Sequence, residues 1–171
     1  RFHCALWPAM LMAAGEAPPR RVFGHGFVYI KGEKISKTLG NVVEPMDLVT
    51  KFSAEAFRYY FMRECPFPGD GEFNWQRFEE VYNANLANNL GNLYSRVVKL
   101  IAANYEGHLQ GTARVEPATI YTETDTETTV RQVQEHIEAC QYNQALQRIW
   151  QQILDPANQY ADRKEPWKLV K

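Results

Sequence analysis

Gly32-Glu33-Lys34-Ile35-Ser36-Lys37-Thr38-Leu39-Gly40-Asn41 is the stretch that decides how this 171-residue chain is read. Two lysines lie three residues apart, a hydroxyl residue stands on each side of the second, and a glycine closes each flank. Glycine lets the backbone enter positive φ and approach a ligand closely. Each ammonium brings three donors on a compact charge, so the pair can follow a polyphosphate as its charge shifts. Just ahead, Gly26-Phe27-Val28-Tyr29-Ile30 reads as a short, fully buried strand delivering the loop to a sheet edge, where open α/β sheets bind nucleotides. By itself, Lys-x-Ser-Lys is more often a solvated turn with two surface lysines, and it is the surrounding sequence that reverses this.

The chain is 45% hydrophobic and 23% charged, which is ordinary for a globular protein with material for one domain or two small ones. No run approaches the eighteen or so apolar residues of a membrane span, and no signal-peptide pattern occurs. Cys4, Cys65 and Cys140 are too far apart for a Cys-x-x-Cys site, so free thiols in a reducing cytoplasm are expected. No metal constellation and no Ser/His/Asp or Cys/His arrangement is legible. The net charge of −1 hides an asymmetry: residues 1–63 carry nine Lys/Arg against five Asp/Glu, and residues 64–171 carry ten against fifteen. A basic half around the lysine loop suits phosphate. The acidic half argues against a nonspecific nucleic-acid coat, leaving local, base-directed contacts. Arg1 stands inside what reads as a helix, so a piece of a longer protein is expected.

Helical spacing of Phe2, Leu6, Ala9, Met10 and Ala13 predicts a first helix over about 1–12, with a kink at Pro8. His3 and Trp7 share one of its faces, an arrangement that on its own fits core packing. Gly26, likewise, fits a tight turn. Beyond the lysine loop, a short helix is expected over Met46–Lys51. Another follows Ser53 as N-cap, with Glu55 in its first turn and Phe57, Tyr60 and Phe61 buried. The intervals between Phe78, Val81, Tyr82, Leu86, Leu90, Leu93, Val97, Leu100 and Ile101 predict one amphipathic helix over about 75–105. Asn83, Asn85, Asn88, Asn89 and Asn92 oppose it, at roughly 0.5 kcal/mol each. They fit either a polar crossing point, where Gly91 admits another helix, or a row of amides aimed at bases. A threonine-rich linker over 107–129 precedes a helix over about 127–140, buried through Val130, Val133, Ile137 and Cys140. A last helix over about 143–161 is expected to kink at Pro156.

Gly-Glu-Lys-Ile-Ser-Lys-Thr-Leu-Gly-Asn resembles the Lys-Met-Ser-Lys-Ser loop of class I aminoacyl-tRNA synthetases, with Ile35 in place of Met and Thr38 in place of Ser. Phe2-His3-Cys4-Ala5-Leu6-Trp7-Pro8-Ala9-Met10-Leu11 is similar to the methionyl-tRNA synthetase family. So are Asn88-Asn89-Leu90-Gly91-Asn92-Leu93-Tyr94-Ser95-Arg96, Ala157-Asn158-Gln159-Tyr160-Ala161-Asp162 and Glu165-Pro166-Trp167-Lys168. The resemblance implies a mainly α chain. Residues 1–73 would be the end of a Rossmann-like catalytic domain with its stem-contact unit, and residues 74–171 a truncated helical anticodon-binding bundle. It implies methionine, ATP with Mg²⁺, and tRNA(Met) as ligands of the parent enzyme, with the piece alone inactive. The family's zinc knuckle would lie in an insertion this chain lacks. Lys34 and Lys37 are implied as catalytic, and His25, Gly26, Val28, Ser36 and Lys37 as the ATP set. His3 and Trp7 would line the methionine pocket, where a thioether packs well on an aromatic ring. Asn92, Arg96 and Trp167 would read the anticodon. Another class I synthetase and a non-catalytic RNA-binding module that kept the loop remain as rivals.

Overall fold

A small three-stranded sheet, with its first strand in the middle, combines one hairpin with one helical crossover. The computed structural model describes residues 1–30, 32–34, 43–108 and 126–169. The chain opens with wide, π-type turns over Phe2–Leu6 that run directly into α1 (Trp7–Ala13). Pro8 falls at that changeover, so the hydrogen-bond step lost with its missing N–H coincides with a change of helical pitch. Strand β1 (Val28–Ile30) pairs antiparallel with β2 (Glu33–Lys34), and Gly32 turns between them at φ +73°, as a flanking glycine should.

Next come α2 (Pro45–Lys51), α3 (Ala54–Glu64), β3 (Gly71–Phe73) and α4 (Trp75–Val81). Strand β3 runs parallel to β1, with Val28 opposite Gly71 and Ile30 opposite Phe73, and the two intervening helices supply the crossover. The strand expected over 26–30 is shorter than its sequence suggests, and only half-buried. Alternation explains the difference: Val28 and Ile30 pack against the core, and Tyr29 points to the other face.

Helix α3 organises this half. Ser53 Oγ accepts from Ala56 N at 3.1 Å, capping its first turn. A backbone hydrogen bond and one from Ser53 hold the Glu55 carboxyl below its usual range. Ala56 and Tyr60 are buried, whereas Phe57 and Phe61, expected beside them, are half-buried on the flanks. Leu48, Phe73, Phe78 and Val81 close the core around Tyr60. This core runs straight across the 73/74 boundary. The α3–α4 contact is also polar: Arg77 Nε and Nη2 reach the two Glu64 oxygens at 2.8 and 3.2 Å.

The long helix continues from α4 through π-type turns over Tyr82–Gly91 into α5 (Asn92–Tyr105). Four of the five asparagines lie in the wide turns. Among the described residues no other helix comes close at Gly91. A Cβ there would meet the Leu86 carbonyl of its own helix at 2.8 Å, so glycine makes room for the wide turn.

The remaining elements are α6 (Thr126–Glu138), α7 (Tyr142–Ile149), wide turns over Trp150–Leu154, α8 (Asp155–Lys164) and the short α9 (Pro166–Leu169). Helix α6 packs on α7, and α7 on α3. The buried side of α6 is rotated from the expected stripe. Thr129 is buried, while Val130 and Ile137 are 55% and 48% exposed. Pro156 again follows π-type turns, so the helix changes pitch where a break was expected. No described helix is long and apolar enough to cross a membrane.

At the α3–α7 contact, Tyr59 and Trp150 place their ring centroids 5.0 Å apart. Burial pushes the Tyr59 phenol up to about 12. An exposed tyrosine in the unfolded chain ionises near 10, so above pH 10 the unfolded state binds fewer protons and stability falls until the folded phenol also titrates. Tyr59→Phe should therefore flatten the loss of stability between pH 10 and 12, read as urea midpoints across that range. Parallel curves for the two proteins would show that Tyr59 carries none of the loss.

Candidate functional site

Two sites emerge, one on each half. The first is an open cleft of about 770 Å³ between the N-terminal helix and the segment that leads into β1. His3 and Trp7 line one wall, and Val22, Phe23 and His25 line the other. The structure thus brings the two methionine-pocket residues expected from the sequence together with His25. Trp7 lines the cleft and is 50% exposed, so it is not a core residue here. His25 Nδ1 lies 2.8 Å from the Gly26 carbonyl oxygen.

Gly26 and Val28, also expected at the nucleotide, line a separate, smaller pocket of about 200 Å³ with His25, Phe61, Cys65 and Phe67. Gly26 does not sit in a tight turn. It lies flat against Gly69 and Asp70, where a Cβ would collide with the Gly69 carbonyl. Asp70 Oδ1 accepts from Phe27 N at 2.7 Å, and Gly71 N donates to Phe27 O at 2.8 Å, so this bracket fixes the entry to β1. Within the pocket, burial raises the Cys65 thiol above its ordinary range, the neighbouring Glu64 charge adding to it.

Of the lysine loop, the backbone of Lys34 belongs to β2, paired with Tyr29. Ser36 and Lys37 lie outside the described residues, as does the Lys34 side chain. The loop's root is anchored: Gly32 N donates to Glu72 Oε1 at 3.2 Å, tying the β1–β2 turn to β3. Among the described residues no group of three or more His, Cys, Asp or Glu could hold a metal ion.

The second site is a polar groove of about 490 Å³ between the long helix and α8, lined by Asn88, Asn89, Asn92, Arg96, Asp155 and Asp162 among others. Asn92 and Arg96 both face it, as their i,i+4 spacing requires. Arg96 Nη2 meets Asp162 Oδ1 at 2.6 Å, and its guanidinium lies 4.5 Å from the centre of the Trp167 ring. All three expected anticodon residues therefore converge. Both Arg96 and Trp167 remain substantially exposed, at 35% for the arginine side chain and 42% for the tryptophan.

Of the two readings left open by the sequence, the polar crossing point is seen at one asparagine. Asn89 is the polar crossing point: it donates to Asp155 Oδ1 at 2.7 Å and accepts from Asn158 Nδ2 at 2.9 Å. Asn88 and Asn92 line the groove, and Asn92 Nδ2 donates back to the Asn88 carbonyl at 3.1 Å. Asp155, Asn158 and Asp162 were missed. Their spacing of three and then four residues, acidic or amide each time, was the signal for one polar face.

The strand–helix crossover followed by long helices is that of the class I tRNA synthetases. The chain belongs to the family described as tRNA synthetases class I (M), whose model matches residues 1–98. It is 40% identical over its full length to methionine--tRNA ligase of Caldanaerobacter subterraneus subsp. tengcongensis and 42% identical to that of Clostridium perfringens, covering 27% and 26% of those proteins. It is 39% identical to the chloroplastic/mitochondrial methionine--tRNA ligase of Arabidopsis thaliana, covering 28% of it. Among solved structures, Mycobacterium tuberculosis methionyl-tRNA synthetase in complex with methionyl-adenylate superposes with a TM-score of 0.82 at 37% identity, over all of this chain and 33% of that one. The chain thus spans between a quarter and a third of the length of the relatives it matches.

The Gly26 contact yields a test. Gly26→Ala must push the backbone of 69–70 away, and overpacking of this kind costs about 1–3 kcal/mol. The urea midpoint should fall accordingly. Unchanged stability would mean that the 26–27 segment is free to move off the bracket.

Proposed function

We propose that this chain is the part of a methionine–tRNA ligase that joins its adenylate-forming site to its anticodon-reading site. The observation that carries the reading is the single cleft on which His3, Trp7 and His25 meet. In the whole enzyme a methionine carboxylate oxygen attacks the α-phosphorus of ATP and forms an O–P bond, while the bond from that phosphorus to the α,β-bridging oxygen breaks and pyrophosphate leaves with the oxygen and its electron pair. Trp7 offers an aromatic wall for the thioether, and His3 stands one helical turn away for the polar head. His25, Gly26 and Val28 lie toward the nucleotide. Ser36, with Lys34 and Lys37, supplies donors and charge where negative charge develops on the α-phosphate and departing pyrophosphate, so the lysines favour the transition state over bound ATP. Mg²⁺ arrives with ATP and is held by its phosphates.

In this reading residues 1–73 are the end of the catalytic domain with its stem-contact unit, and residues 74–171 are the beginning of an anticodon-binding bundle. Asn92 and Arg96 meet the Watson–Crick edges of splayed bases of tRNA(Met), and Trp167 stacks on one of them. A base arriving at Trp167 finds the ring already faced by the Arg96 guanidinium, so it joins or displaces that cation. The enzyme works in the cytoplasm on soluble substrates.

In the longer enzyme that contains this chain, Lys37→Ala should slow adenylate formation about 10²–10³-fold, the usual loss for one preorganised transition-state contact. Methionine affinity should change little. An unchanged single-turnover rate would remove Lys37 from the mechanism.

Trp167→Ala should raise KM for tRNA(Met) by one to two orders of magnitude, because stacking on an aromatic ring is worth about 1–3 kcal/mol per base. Methionine-dependent ATP–pyrophosphate exchange should be intact. Normal charging by a folded mutant would make Trp167 a packing residue.

A further inference from the structure

Residues 17–27 form neither helix nor strand, yet they supply one wall of the 770 Å³ cleft. What holds Arg21 to His25 in place lies elsewhere in the chain. Arg21 Nη1 donates to the carbonyl of Glu138, the last residue of α6, at 3.2 Å. A cation on a C-terminal carbonyl also suits the helix dipole. Phe23 and His25 both pack on Phe67, with ring centroids 5.3 and 6.3 Å away. Phe67 in turn meets the edge of Tyr142, the first residue of α7, at 5.8 Å and 87°. Both anchors therefore end at one place, the turn between α6 and α7.

That turn is built to be stiff. Cys140 adopts left-handed backbone at φ +59°, Cys140 N donates to Ile137 O at 2.9 Å, and Gln141 N donates to His136 O at 2.8 Å. The Gln141 amide oxygen adds a contact to His136 Nδ1 at 2.9 Å. Behind the turn, α7 packs directly on α3, the helix at the centre of the core. The turn belongs to the helical half, and the cleft wall it supports belongs to the other.

We propose that the α6–α7 turn is a positioning element for the substrate cleft, with Tyr142 holding the Phe23–His25 wall through Phe67. This rests on the reading of the cleft as the methionyl-adenylate site. Tyr142 is not among the residues that line the cleft. Its effect is to fix where His25 stands relative to His3 and Trp7. A purely architectural tyrosine would change stability alone; a positioning one changes substrate binding in a folded enzyme.

The test is ATP–pyrophosphate exchange by the longer enzyme carrying Tyr142→Ala or Tyr142→Phe. Tyr142→Ala should raise KM for methionine and ATP about five- to tenfold, a fraction of what a misplacement of about 1 Å can cost. KM for tRNA(Met), read in a separate aminoacylation assay, should stay within twofold. Tyr142→Phe keeps the edge-on ring and should behave as the parent. Substrate KM values unchanged by Tyr142→Ala in a cooperatively folded protein would overturn the proposal. If the alanine variant fails to fold, Tyr142→Leu, which keeps the apolar volume and loses the ring edge, decides by the same readout. Lys37→Ala in the same series separates the two levels. Impaired exchange with Lys37→Ala but normal KM with Tyr142→Ala refutes the positioning role alone, and a parent enzyme without methionine-dependent exchange refutes the reading beneath it.

Discussion

Tyr60 is the constraint on which the rest of the structure depends. Its side chain is 1% exposed, and its ring contacts those of Phe61, Phe73 and Phe78. Its hydroxyl donates to Glu72 O at 3.3 Å and accepts from Asn74 N at 3.4 Å. A buried phenol must find such partners, because leaving it unpaired costs about 1–3 kcal/mol. Here the partners are the backbone where β3 ends and α4 begins. One residue of α3 therefore fixes the strand that pairs with β1 and the start of the long helix. The lysine loop hangs from the first, and the asparagine-lined groove from the second. Ring contacts set the distance and the hydroxyl sets the register.

The parts of the fold legible in the sequence were those whose cause is local. Ser53 as a cap, the short helix over Met46–Lys51, the positive φ of Gly32 and the amphipathic period of the long helix all depend on neighbours a few residues away. The convergence of His3 with Trp7, and of Asn92 with Arg96, was legible for the same reason, since each pair is one helical turn apart. Trp167 came to Arg96 only through the resemblance, because nothing in its own surroundings points there. The burial of α6 was misread. Val130 and Ile137 suggested an inward stripe, but packing on α7 selected the side bearing Thr129, and tertiary contact overrode the apolar pattern.

Helical pitch was also invisible in the sequence. Among the described residues three wide stretches occur, at Phe2–Leu6, Tyr82–Gly91 and Trp150–Leu154. Two of them precede a proline, and the third holds the asparagines and ends at Gly91. These residues were read as kinks, a crossing point and a doorway for a second helix. They share a simpler property: each weakens the regular i to i−4 ladder, by a missing donor, a competing amide or a missing side chain. A wider turn accommodates all three without breaking the helix. The groove gains from this, because the change of pitch at Asn92 sets the phase with which Asn88, Asn92 and Arg96 face α8.

The parallel pairing of β1 with β3 has a further consequence, for the order in which the chain folds. Phe27 meets Asp70 across 43 residues, and Arg21 meets Glu138 across 117. Contacts of such sequence separation carry a loop-closure cost that local helices do not, and they form late. Helices α2 and α3 can assemble on their own short-range contacts, as can the α6–α7 hairpin. The strand bearing the root of the lysine loop joins only when both are in place. The β1–β2 edge, with the backbone of Lys34, is thus the last part of this region to gain a fixed scaffold, and in a nascent chain it has no paired strand until the helices that follow it have emerged.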